Sequence, residues 1–113
     1  MKESPADSPC PICTKDSPKL LGKDLAIQLG TLKSEWQAID NHRLKKRFSF
    51  KDFSSALTYV NHVAALAEEV NHHPDLHLSW GQVIIEVWSH VINGISQTDI
   101  VFAAKCDRIF EEM

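Results

Sequence analysis

Pro74 separates two incompatible periodicities, and that separation constrains the fold more than any other feature of the chain. Before it, from Asp52 to about Asn71, Phe53, Leu57, Val60, Ala64 and Ala67 recur at three- and four-residue spacing, with Ala56, Val63 and Val70 beside them. This is the apolar stripe of an amphipathic helix. Proline removes a donor from the helical ladder and pushes the preceding residue out of helical geometry, so His73-Pro74 forces an exit. After it, apolar and polar residues alternate. Leu76, Leu78 and Trp80 share one side and His77 and Ser79 the other; beyond Gly81, Val83, Ile85 and Val87 oppose Ile84, Glu86, Trp88 and His90. A period of two belongs to strands, and the two runs predict a hairpin with Gly81 at its turn.

The same reading extends to the rest of the chain. Leu20, Leu21, Leu25, Ile27, Leu29 and Leu32 predict a short first helix with Gly30 near its end. Trp36, Ala38 and Ile39, the polar Asp40-Asn41-His42, then Leu44, Phe48 and Phe50 predict a first hairpin, with Trp36 entering the core. Ser96 and Asp99 resemble a capping pair opening a last helix that carries Ile100, Val101, Ala103, Ala104, Ile109 and Phe110. On that ground Asp99 is expected to be mainly structural. The order α-β-β-α-β-β-α describes an α+β domain: a four-stranded antiparallel sheet with three helices on one face. A length of 113 residues excludes a two-domain enzyme.

Four of the five prolines fall within residues 1–18, which we read as a flexible leader, with the folded domain over 19–113. The leader has no signal-peptide core and the chain no apolar run near the ~18 residues of a membrane span, so a cytoplasmic protein is expected. Cys10 and Cys13 form a CxxC with neither a second CxxC nor a strand-to-helix context, and Cys106 reads as packing. Residues 1–50 hold nine Lys/Arg and six Asp/Glu, residues 51–113 three and nine. The basic cluster Arg43, Lys45, Lys46 and Arg47 is too short and too poor in aromatics to signal nucleic-acid binding, and reads as a solvated strand face.

Of six histidines, His72, His73 and His90 fall at the ends of predicted elements, where side chains can face a cleft. On a helical wheel zeroed on Phe53, Glu68 lies at about 60° and rims the stripe, while His62 lies at about 180° and faces water. Glu68, four residues before His72, is within reach of that imidazole if the last turn stays helical. Imidazoles titrate near neutrality, and a carboxylate orients the ring and favours its charged form, so the pair suits proton transfer. Polar residues that merely decorate a helix end would look the same. A metal site is disfavoured, because adjacent histidines diverge and no HxH, HxxxH or HExxH spacing occurs. Trp88 shares a strand face with His90 and Glu86 and offers either an aromatic wall for a flat ligand or an oligomer contact.

The intervals Glu68, His72-His73-Pro74, Trp80, His90 and Asp99, with Trp36 and RFSFKDF over 47–53 upstream, resemble the pterin-4a-carbinolamine dehydratase family (4a-hydroxytetrahydrobiopterin dehydratases) across roughly residues 19–113. The resemblance implies a lyase that removes water from a 4a-hydroxytetrahydropterin, giving the quinonoid dihydropterin, in tetrahydrobiopterin recycling for an aromatic amino acid hydroxylase. It implies no metal or organic cofactor, and a homodimer or homotetramer. It also implies catalytic roles for His72, His73, His90 and Glu68, and substrate contacts for His73, Trp80, Trp88 and Asp99. The alternative is a non-catalytic pterin-binding or protein-regulating module of dimerisation-cofactor type; a relative in animals also binds a transcription factor as a dimerisation partner. Two features depart from the family pattern: Val91 stands where an acidic residue is usual, and the leader has no counterpart in it.

Overall fold

The computed structural model describes residues 5–32 and 35–113, so the first four residues of the leader lie outside the described residues. After a short 3-10 turn at Pro5–Asp7 the chain forms α1 (Gly22–Leu29), β1 (Gln37–Ile39), β2 (Arg43–Ser49), α2 (Phe53–Val70), β3 (Asp75–Ser79), β4 (Gln82–Val87) and α3 (Gln97–Glu111). The four strands make one antiparallel sheet in the order β1-β2-β4-β3, as the alternation predicts. The central pair therefore comes from different hairpins. In the first hairpin Asp40 and Asn41 both sit at φ 53, and the His42 N–H returns to the Ile39 carbonyl at 2.9 Å. Positive φ at both central residues matches a tight turn to the twist of its strands.

Leu44 and Phe48 of β2 and Val83, Ile85 and Val87 of β4 are fully buried on the sheet's inner face, which is packed by α2 and α3; α1 leans on α3. The stripe of α2 differs from the sequence reading. Its buried residues are Ala56, Tyr59, Val63 and Ala67, whereas Phe53 and Leu57 are 45% and 40% exposed and Ala64 is exposed. The helix is apolar over more than half its circumference, and Tyr59 decides which part packs. Its ring meets Phe48, Phe50 and Phe110 at 4.9–5.9 Å, and its hydroxyl donates to the Cys106 carbonyl at 2.9 Å. That satisfied hydroxyl lets a large aromatic be buried completely.

The basic cluster also divides. Lys45 and Arg47 share the open face of β2, but Lys46 lies on the same side as Leu44 and Phe48 and reaches Asp107 of α3 at 3.0 Å. Asp107 also accepts from Trp36 Nε1 at 3.0 and 3.1 Å. Lys46 is thus an inward clip between sheet and helix, contrary to the solvated face expected for the whole run.

Candidate functional site

The site begins with the way α2 stops. Asp52 caps its start by accepting the Ser55 N–H at 2.8 Å, and Asn71 ends it in the left-handed region at φ 52, ψ 45, with the His72 N–H closing back on the Ala67 carbonyl at 3.1 Å. This six-residue closure satisfies carbonyls the helix would otherwise leave open. It also redirects the chain at the residue before the histidines. The expected i,i+4 contact between Glu68 and His72 does not form, because His72 no longer continues the helical spiral. His72 instead turns toward α3, where its Nε2–H donates to Asp99 Oδ1 at 2.6 Å, while His73 meets Glu68 Oε2 at 2.5 Å. The first pair is nearly enclosed; the second has side chains 54% and 79% exposed.

Asp99 is fully buried, and every polar contact it makes holds something in place. Oδ2 accepts the Ser96 N–H at 2.8 Å, the capping role predicted from the sequence, and the Ser89 hydroxyl at 2.8 Å. Oδ1 takes His72. Asp99 therefore caps α3 and orients an imidazole at once; it reaches the cleft through His72. An ionised carboxylate only accepts, so neutral His72 carries its proton on Nε2 and keeps its lone pair on Nδ1.

Beyond β4 the chain pinches into a closed loop, with Ser89 and Gly94 bridged and Asn93 at φ 51. The loop presents Trp88 and His90 side by side, their rings stacked 4.6 Å apart at 16°. His42 from the first hairpin lies 5.4 Å from Trp88 and contacts Asn93 Oδ1 at 2.8 Å, bracing the loop from the β1–β2 turn. Among the described residues no carboxylate pairs with His90.

His72, His73, Trp88, His90 and Val91 line one cleft of about 800 Å³, within the range of small-molecule sites. The end of α2 with Asn71, Ser89, Thr98 and Lys105 of α3, and residues 9–13 of the leader also line it. The sequence reading did not place Ser89, Lys105 or the leader at the site, since Ser89 and Lys105 belong to no chemical motif and the leader's CxxC lacks both a second CxxC and a strand-to-helix context. Glu68 stands behind His73 at the rim. Trp80 is not brought in: it is 69% exposed in the β3–β4 turn, at the other end of β4 from Trp88. Six residues of strand, about 20 Å, separate the two ends. Cys10 at the cleft has its thiol pushed up to about 11, chiefly by burial, so it stays protonated near neutrality. Among the described residues no three His, Cys, Asp or Glu side chains converge as a metal site requires, and no helix is long and apolar enough to cross a membrane.

Residues 18–109 match the family model described as pterin 4 alpha carbinolamine dehydratase. A protein of Alkaliphilus metalliredigens, provisionally named a pterin-4-alpha-carbinolamine dehydratase, is 42% identical over 103 residues, covering 91% of this chain and 93% of that one. A protein of Rubrobacter xylanophilus with the same provisional name is 42% identical over 92% of this chain and 96% of its own. Among solved structures, a transcriptional coactivator/pterin dehydratase from Brucella melitensis superposes with a TM-score of 0.76 at 30% identity, over 81% of this chain and 98% of that one. A pterin dehydratase-like protein identified as a RuBisCO assembly factor in the alpha-carboxysome superposes with a TM-score of 0.55 at 25% identity, over 66% and 86%.

Proposed function

The chain belongs to the pterin 4 alpha carbinolamine dehydratase family, and from that premise we propose that its histidine cleft dehydrates a 4a-hydroxytetrahydropterin. The observation that carries the reading is the His72–Asp99 pair at 2.6 Å beside His73 and His90 in one cleft. Dehydration breaks the bond between C4a and the hydroxyl oxygen. A proton must reach that oxygen, another must leave the ring N5, and the N5–C4a double bond of the quinonoid dihydropterin forms as water departs. His72, whose lone pair is kept on Nδ1 by Asp99, is suited to take the N5 proton. His90, without a carboxylate partner, is suited to deliver one to the leaving hydroxyl. Acid–base help of this kind is worth roughly 10²–10⁴-fold. His73, steadied by Glu68, and Trp88 would hold the flat ring.

The reading extends to recycling of tetrahydrobiopterin for an aromatic amino acid hydroxylase, by a cytoplasmic homodimer or homotetramer; these finer statements rest on the family resemblance alone. One observation favours a second reading, a non-catalytic module that acts on other proteins: a similar solved structure is described as an assembly factor. Stopped-flow mixing of purified protein with freshly generated 4a-carbinolamine distinguishes them. We expect dehydration well above the buffer rate, and a rate equal to buffer at saturating protein would reject the enzyme.

A further inference from the structure

The leader is fastened along α3 by contacts of several kinds. Ala6 is buried, its carbonyl accepts from Lys105 Nζ at 3.0 Å, and Asp7 pairs with Arg108 at 2.6 Å. Further along, Thr98 grips the leader twice: its hydroxyl donates to the Pro11 carbonyl at 2.9 Å, and its own carbonyl accepts from the Cys10 thiol at 3.6 Å. The segment finally rejoins the domain where the Leu20 N–H reaches the Ile95 carbonyl at 2.7 Å. It thus runs antiparallel to α3, from the helix's last turns to its first.

From these contacts we propose that the leader is a wall of the substrate cleft, and that Ile12 is the side chain by which this wall binds the pterin ring. This inference rests on the dehydratase reading. Residues 9–13 lie on the same cleft as the three histidines. Pro9 and Pro11 have φ fixed by their rings, so the wall is stiff where the Thr98 contacts hold it. Ile12 is 87% exposed, the most exposed of the large apolar side chains among the described residues, and it stands at the cleft. A pterin has flat apolar faces and polar edges, so seating one here would remove Ile12 from water. Small-molecule sites cover most of their ligand's surface, and without the leader the Thr98 and Lys105 side of the cleft would be open. The alignment with the Alkaliphilus protein spans 91% of the chain, more than the 95 residues from 19 to 113 can supply, so it continues into the leader.

The test uses the full-length chain carrying Ile12→Ser, and separately Thr98→Val, which removes the donor to Pro11. Ile27→Ser, on an α1 position that is 55% exposed and outside the cleft, is the comparison variant. We expect KM for the 4a-carbinolamine to rise roughly five- to tenfold in Ile12→Ser, on the scale of an apolar side chain lost from a binding surface, with kcat changed less than twofold. Thr98→Val should raise KM in the same direction, and Ile27→Ser should change neither constant. Unchanged KM in Ile12→Ser, with the parent enzyme active, would overturn the wall. If the parent shows no dehydration at all, the function reading fails instead, and quenching of tryptophan fluorescence by 7,8-dihydrobiopterin takes over as the readout: weaker binding in Ile12→Ser keeps the wall, equal binding removes it.

Discussion

Asp99 and Asp107 lie eight residues apart on one helix, about 12 Å along its axis, and both are buried, yet they do different work. Asp107 is held by Trp36 Nε1 and the Lys46 ammonium, one group from the entrance to β1 and one from β2. It ties the entrance to β1, the middle of β2 and the end of α3 into one block. Asp99 is held by a backbone N–H and a serine hydroxyl, and its remaining oxygen faces the imidazole of His72 at the cleft. The partners, more than the depth of the carboxylate, separate the two: Asp107 joins three elements of the core, whereas Asp99 joins a helix cap to a residue of the cleft.

The sharpest way to break this comparison is Asp99→Ala, which strands the Ser96 N–H and the Ser89 hydroxyl and frees His72 together. Stability should fall by about 2–4 kcal/mol, since buried donors lose their acceptor, and turnover per folded molecule at least tenfold. Urea melts and turnover on one preparation check both, and a stability loss with full activity would reduce Asp99 to a cap. Next in size, His72→Ala and His90→Ala should each lower turnover per folded molecule by roughly ten- to a hundredfold; His90→Ala should leave the urea midpoint nearly unchanged, whereas His72→Ala, which strands Oδ1 of the buried Asp99, should also cost about 1–3 kcal/mol. His62→Ala, exposed on α2, serves as the control; equal losses in all three would undo the site assignment. Asp107→Ala should cost about 1–3 kcal/mol, the range for orphaning a buried donor, with kcat untouched.

The smallest effect concerns a third carboxylate, Glu86, on the open face of the sheet. The hydrogen bond from Arg43, at 2.7 Å, is the main reason its carboxyl is held below the ordinary 4.5, with burial opposing. A depressed folded-state value means that the pair contributes stability above the unfolded value and loses it as pH falls through the folded one. Arg43→Ala should therefore flatten the stability profile below about pH 4.5, by less than about 1 kcal/mol as for most surface ion pairs, and leave pH 7 activity alone. A profile identical to the parent's would mean that the pair is energetically silent.

What could be read from the sequence follows the same division. Both hairpins, the end of α2 ahead of Pro74, and Ser96 with Asp99 were legible because local spacing or a single residue's stereochemistry decides them. The packed side of α2 was not, because a helix apolar over more than half its circumference leaves that choice to partners such as Phe48 and Phe110 that are distant in sequence. The inward turn of Lys46 was available from period-two alternation with Leu44 and Phe48, but the unbroken run of charge masked it. The His72 contact with Asp99 depends on a left-handed residue that spacing rules, which assume a continuing helix, do not anticipate. The leader's seat on α3 escaped for a different reason: Lys105 and Thr98 grip it through the backbone carbonyls of Ala6 and Pro11, which no sequence pattern marks, and the Asp7–Arg108 pair joins residues too far apart in sequence for spacing to connect.

The left-handed turn at Asn71 carries an evolutionary consequence. What is constrained there is a dihedral angle, since a residue with an ordinary Cβ costs roughly 1–2 kcal/mol in that region whereas Gly and Asn occupy it readily. A lineage could keep all three histidines and both of their carboxylates and still lose the pairing of His72 with Asp99 through a change at position 71 alone. A survey of which relatives retain activity would then do better to sort them by the backbone handedness permitted at this one position than by an inventory of their functional groups.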